Sequence, residues 1–483
     1  MARWGWMLAV ALSAWGALAV PRAQAQEPPP PLSRPASNEP KTEASKPEAP
    51  RSESEPASGE AEKKEPGSEG GVERERYPLN IAFGEGVEIS NRDGDFQLRL
   101  RLMEQTDFKL FVPTFQEPAR SGVYIPRFRV YFEGQATRTF EYELSLQRSV
   151  EGTFDVLDAN VNLHLDDAFQ LKVGRFLVPY SYEWYDHLEQ FFIAPERGLF
   201  PLNFGLSREA GMMVWGRLDG GRWQYAVGGF DGQLAGLADN NTTRDGVGYL
   251  NFRPFFHEAG SPYRYLNIGG SVALGKQAYA AEPLPLRTAV QSSENDEAAR
   301  GASAIFLDFE PDVMAYGGRF QAAAHMAWYY QHLSLEAEWQ TGRFGYTRVG
   351  ITPTTHVNTS GFHVAAGYFI TGEVVQGRTT VVPLRPFDPR AGTYGPGAIE
   401  LFARYSQLQL SDNIFSAGLA DPDKWTRQAL ITDIGLNWYP NRYIKVYFDW
   451  QHAVFGKPVL LNEEYQQYRR NNDLFWVRAQ VCY

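Results

Sequence analysis

Nine basic side chains stand where they could line a path for an anion: Arg99, Arg101, Arg127, Arg129, Lys172, Arg175, Arg197, Arg319 and Arg404. Arg99 with Arg101, and Arg127 with Arg129, repeat at i, i+2, so each pair shares one face of an extended strand. A guanidinium is a planar fork that grips phosphate or carboxylate at two points, and it does not lose its proton. Fixed positive charge on lumen-facing positions sets anion selectivity in a pore. The same arginines could equally form one side of a transverse field, with Asp107, Glu133, Glu141 and Glu143 as opposing acids. Catalytic and metal chemistry finds no pattern. The eight histidines include no HxxxH or HExxH pair, and no GxSxG or P-loop occurs. No catalytic residue, metal or cofactor is therefore expected.

Composition narrows the class. Lys+Arg number 46 against 57 Asp+Glu, a net charge of −11, which argues against a nucleic-acid partner. The single cysteine excludes a disulfide scaffold and a CxxC site. Mean hydropathy is −0.39, and after the N-terminus no run is long and apolar enough for a spanning helix. Yet 12 Trp, 25 Tyr and 31 Phe are present. A polar average with abundant aromatics suits an outer-membrane barrel, polar within and girdled by aromatics.

The elements that must carry the arginines alternate with a period of two. Phe96, Leu98, Leu100 and Leu102 share one face, and Gln97, Arg99, Arg101 and Met103 the other. Phe128, Val130 and Phe132 oppose Arg127, Arg129, Tyr131 and Glu133. Ala159, Val161 and Leu163 oppose Asn160, Asn162 and His164. The pattern recurs at 361–373, 398–406 and 443–451, where Trp450 joins Trp339 and Trp438 as expected girdle residues. The fold class expected is all-β: a transmembrane antiparallel β-barrel of about sixteen strands over 77–483. Asn441 marks a tight turn, and longer loops are expected at 277–312, 344–358 and 411–426. Between Phe176 and Gly211 alternation lapses for an aromatic, mixed-charge stretch. External loops are more usually Gly/Asn/Ser-rich, so this stretch reads as a loop folded into the lumen.

The N-terminus sets the compartment. Arg3, the apolar run Trp4–Val20 and Ala23-Gln24-Ala25 read as a signal peptide over 1–25. Residues 26–76, rich in Pro, Glu and Ser, are expected to be a disordered periplasmic linker. The final strand ends on Tyr483, with Phe475, Val477, Ala479 and Val481 on its apolar face, resembling the signal read by the barrel-assembly machinery.

Several phrases in fixed order resemble the phosphate-selective porin O and P family: FQLKVGRFLVPYSYEW at 169–184, FFIAPERG at 191–198, FHVAAGYFITGE at 362–373, LRPFDPR at 384–390, ARYS at 403–406 and GLNWYPN at 435–441. The resemblance spans most of 94–483. It implies a trimeric, sixteen-stranded outer-membrane porin whose long loop after the fifth strand enters the lumen. Arg197 lies in the family's Glu-Arg loop phrase and Arg404 in ARYS. The function expected is passive diffusion of small anions such as phosphate or polyphosphate. Alternatives are a general, weakly selective porin, or a structural barrel tethered to the cell wall. Expected partners are two further copies of the chain, outer-membrane lipid and lipopolysaccharide, the assembly machinery at Tyr483, and small anions.

Overall fold

The computed structural model describes residues 79–148, 154–232, 243–289, 302–349 and 351–483. The segments expected as signal peptide and linker, 1–25 and 26–76, lie outside the described residues. Sixteen antiparallel strands form one closed sheet: β1 (Gln97–Val112), β2 (Gly122–Gln135), β3 (Phe140–Arg148), β4 (Phe154–Asp166), β5 (Phe169–Leu177), β6 (Arg208–Leu218), β7 (Trp223–Phe230), β8 (Asp245–Phe252), β9 (Tyr265–Ala281), β10 (Val313–Tyr330), β11 (Leu333–Arg348), β12 (Ile351–Phe369), β13 (Ala398–Leu410), β14 (Gln428–Asn441), β15 (Ile444–Asn462) and β16 (Gln467–Cys482). Closure comes from β16 pairing with β1, Asp473 opposite Val112 through Cys482 opposite Met103. Tyr483 extends the seam through two backbone hydrogen bonds to Leu102. A leading hairpin, Leu79–Gly84 with Gly86–Asn91, pairs with Gln97–Leu100 of β1, below the stretch that β16 covers.

The alternation survives folding. In β16, Leu474, Trp476, Arg478 and Gln480 point inward and are buried, while Phe475 and Val481 are exposed outward. Apolar residues run unbroken around the outside: Leu401, Leu436, Phe448, Val477 and Phe108 stand opposite one another across five strands. Trp339 and Trp450 are exposed on this surface, and Trp438 donates its indole N–H to the Pro396 carbonyl. Asn441 forms the expected turn by accepting from the backbone N–H groups of Tyr443 and Ile444.

Two connections depart from expectation. Residues 344–358 are not a loop, because β11 continues to Arg348 and β12 starts at Ile351. Their Gly, Thr and Pro content suggests a turn region, but pairing of β11 with the long β10, and of β12 with β11, draws them into the sheet. Tyr346 and Val357 are then buried in an apolar cluster with Phe306 and Leu408. Conversely, residues 370–397 form a long connection at the end where the others are mostly tight turns. Its first half turns inward and buries Val375 and Arg378; its second half forms a small exposed hairpin, Phe387–Asp388 with Thr393–Tyr394.

The outer band yields a prediction. Phe448→Lys puts an ammonium on the apolar exterior and is expected to cost about 2–4 kcal/mol. Urea unfolding of the protein in lipid vesicles measures it, and an unchanged midpoint would mean that this row does not face lipid.

Candidate functional site

The segment between β5 and β6, residues 178–207, folds into the barrel and is buried almost throughout. Irregular backbone at such depth must have its polar groups satisfied by protein or by a water-filled cavity. The barrel wall supplies them. The Glu338 carboxylate accepts from Ser181 Oγ and from the backbone N–H groups of Tyr182 and Glu183, opening the helical turn Tyr182–Tyr185. Ser406 Oγ accepts from Leu199 N at the start of a second short helix, Leu199–Phe204. The loop's carbonyls take donors from the far wall: Gln480 to Gln190, Lys445 to Phe192, Asn437 to Ile193 and Arg478 to Pro195. Its apolar side chains fill the interior. Tyr180, Tyr182 and Leu206 pack with Phe230, Tyr249 and Tyr329, and Phe200 and Phe204 pack with Phe306 and Leu307 of the inward-folded segment 302–312.

Three loop carboxylates, Glu183, Glu189 and Glu196, are seated among cations. Arg127 forks Glu196 at 2.6 and 2.8 Å, and Arg478 reaches the same carboxylate at 3.1 Å. Glu189 lies 2.8 Å from Arg129, 3.3 Å from Arg208 and 3.5 Å from Arg197. Glu183 accepts from Gly198 N and lies 3.5 Å from Arg404. Burial alone would push these carboxyls up. The surrounding guanidiniums outweigh it, holding Glu189 well below the usual range and Glu196 down to about 2.

The nine expected cations therefore separate into groups. Arg127, Arg129 and Arg404 reach from the wall to hold the loop. Arg197 is part of the loop, buried with its guanidinium over Trp184 at 3.5 Å. Arg319 bonds Asp245 on the far wall at 2.6 Å. Arg175, three residues beyond Lys172, has the opposite strand parity, paired with Ala159, and lines none of the lumenal cavities. Arg99, Arg101 and Lys172 face open space.

That space is eccentric, a lane between the loop and the β1–β6 wall. A cavity of about 410 Å³ lined by Arg99, Arg101, Glu133, Glu141, Glu143 and Lys172 continues into one of about 180 Å³ lined by Asp158, Glu189 and Arg208. Both include Arg101, Glu143, Lys172 and Leu188. Arg101 also borders a third cavity, beneath the inward half of 370–397. It bonds Glu133 at 2.9 Å and lies over the Tyr131 ring. Among the described residues, Lys172 alone of the nine has neither a hydrogen bond nor an ion pair; its ammonium stands 5.7 Å from the Trp215 ring. At Gly174, φ is +129°, and a Cβ would meet the Ala159 carbonyl at 2.3 Å, so glycine keeps β4 and β5 close at the lane's edge.

Sequence reading missed Arg208, Arg378, Lys445 and the role of Arg478. The parity of β16 already puts Arg478 inside. Arg378 bonds Glu400 at 2.5 Å and the Phe191 carbonyl at 3.0 Å, but it arises from an irregular segment with no periodicity to mark it.

A closed barrel with an apolar exterior, a charged interior and a loop narrowing the lumen is an outer-membrane porin, a channel through the outer membrane. The chain belongs to the family described as phosphate-selective porin O and P, which matches residues 96–453. It is similar to Porin O of Pseudomonas aeruginosa, 23% identical over 381 residues, covering 75% of this chain and 84% of the relative. Similar solved structures include an anion-selective porin from Comamonas acidovorans, at 12% identity and a TM-score of 0.47 over 80% of this chain and all of that one. Another is OmpT of Vibrio cholerae, at 8% identity and a TM-score of 0.49 over 80% of this chain and 98% of that one.

Two outcomes follow for the docked loop. Arg127→Ala with Arg129→Ala removes cations from Glu196 and Glu189 and is expected to loosen the loop, raising single-channel conductance in a planar bilayer. Unchanged conductance would mean that these pairs do not hold the constriction. The second outcome concerns acid. Because the folded carboxyl is depressed from 4.5 to about 2, Glu196 stabilises the docked state fully above 4.5 and loses that contribution as pH falls toward 2. The stability difference between wild type and Glu196→Gln, read by urea unfolding, should be constant from pH 7 to about 5 and shrink below 4.5. A difference independent of pH would contradict the pairing.

Proposed function

We propose that the chain passes small anions, phosphate or polyphosphate among them, by passive diffusion with no covalent step. The observation that carries this reading is Arg101, which borders three cavities in the lumen, with Arg99 and Lys172 beside it in the lane. A solute crossing there meets a guanidinium and an ammonium that can replace part of its hydration, as selectivity requires. The family's description lends support. Residues 1–25 would direct export and 26–76 would form a periplasmic linker. Three copies would assemble in a membrane carrying lipopolysaccharide, with the assembly machinery reading Tyr483. A general porin of weak selectivity is the second reading, favoured by the carboxylates that share the lane.

The test is the reversal potential of the reconstituted protein under a KCl gradient, followed by phosphate addition. Anion preference with phosphate suppressing chloride current is expected; cation preference without suppression overturns the reading. Arg101→Ala and Lys172→Ala should each lower anion preference. One charge at ~4 Å in water is worth about 1 kcal/mol, a factor of about five.

A further inference from the structure

The lane carries slightly more negative charge than positive, five carboxylates against four cations, and the structure separates the acids held by arginine from those that are not. Glu133 is held by Arg101 at 2.9 Å and Arg99 at 3.6 Å. Asp158 is held by Arg208, and Glu189 by Arg129 and Arg208. Asp107, a further candidate for a transverse field, is buried against Arg478 at 2.6 Å, away from the lane. Glu141 and Glu143 remain. Among the described residues, neither has an arginine or lysine within ion-pair distance. Glu143 accepts from Asn160 at 3.2 Å, and Glu141 from Asn162 at 2.7 Å with the His164 ring at 2.8 Å.

The register fixes where these charges stand. Lys172 on β5 is opposite Asn162 on β4, which is opposite Glu141 on β3. One row along, Asn160 is opposite Glu143, which is opposite Glu133 on β2. The asparagine amides anchor both glutamates to the wall between Lys172 and the Arg99–Arg101 pair. All of these groups border the cavity of about 410 Å³.

We propose that Glu141 and Glu143 are specificity-determining residues, a counter-charge row that makes this lane amphoteric. The solute class it takes best is a small molecule that carries an ammonium group together with a phosphate or carboxylate. A bare phosphate is drawn by Arg101 and Lys172 but repelled by two fixed carboxylates. A zwitterion turns that repulsion into a second attraction, which is specificity by a penalty on the competitor. The proposal deepens the anion-conduction reading and rests on it.

The experiment compares wild type with Glu141→Gln/Glu143→Gln in planar bilayers. Two quantities are read: the anion-to-cation permeability ratio under a KCl gradient, and block of chloride current by inorganic phosphate against O-phosphoethanolamine. In wild type, phosphoethanolamine should block at the lower concentration. In the double variant the permeability ratio should rise about fivefold for each charge removed within ~4 Å of the path, and phosphoethanolamine should lose its advantage. An unmoved ratio, or the same order of block in both proteins, overturns the proposal while leaving an anion-preferring wild type intact. A cation-preferring wild type overturns the underlying reading and this proposal with it. Heat-shifted migration in SDS checks folding. If the double variant does not fold, Glu143→Gln carries the same test.

Discussion

The interior of this barrel depends on one constraint: residues 178–207 lie at membrane depth with only short helical pieces, so the charges and carbonyls they bring need partners in the wall or within the loop. Glu196 between Arg127 and Arg478, and Glu189 among Arg129, Arg208 and Arg197, are the strongest of these contacts. Buried ion pairs add little net stability over apolar packing, yet losing one partner costs about 3–5 kcal/mol. Such pairs therefore act as registry pins. They fix where the loop sits, while the tyrosines, phenylalanines and leucines around it supply the apolar burial.

Pinning the loop decides which charges remain for a solute. Arg127, Arg129 and Arg404 have the side-chain type and the strand face that an anion path calls for, but their guanidiniums are engaged by the loop. What remains is Arg101 and Lys172 in a lane along β1–β6, with Arg99 at its margin and carboxylates interleaved. The same pinning makes the pore eccentric. The β7–β15 side is filled by the loop and by inward-folded parts of 282–312 and 370–397, so the open cross-section lies on the opposite side. Electrostatics in such a lane is local. At physiological ionic strength the screening length is about 8 Å, so a solute senses the rows it passes rather than the net charge of the chain.

Much of this was legible in the sequence. Period-two alternation assigned the faces of β1, β2, β4, β12, β13, β15 and β16, because a lipid-facing exterior and a polar lumen leave no freedom in which side chains point where. The lapse between β5 and β6 marked the inward loop, since its aromatic composition suits burial. The turn at Asn441 was readable from local chemistry alone. Residues 344–358 were misread because Gly, Thr and Pro mark turns only when no neighbouring strand is long enough to pair with them. Residues 370–397 gave no signal, for an irregular segment has no period.

The sequence by itself thus determined the barrel, its faces and the existence of a loop able to enter it, since these follow from local periodicity and from the solvent on each side of the wall. Which arginine meets which carboxylate was decided only by the tertiary structure. Arg127 and Glu196 are 69 residues apart, and Arg478 and Glu196 are 282 apart. Charges brought together across such separations by closing a sheet leave no mark in spacing. The difference between an arginine that pins a loop and one that faces a solute rests on that closure.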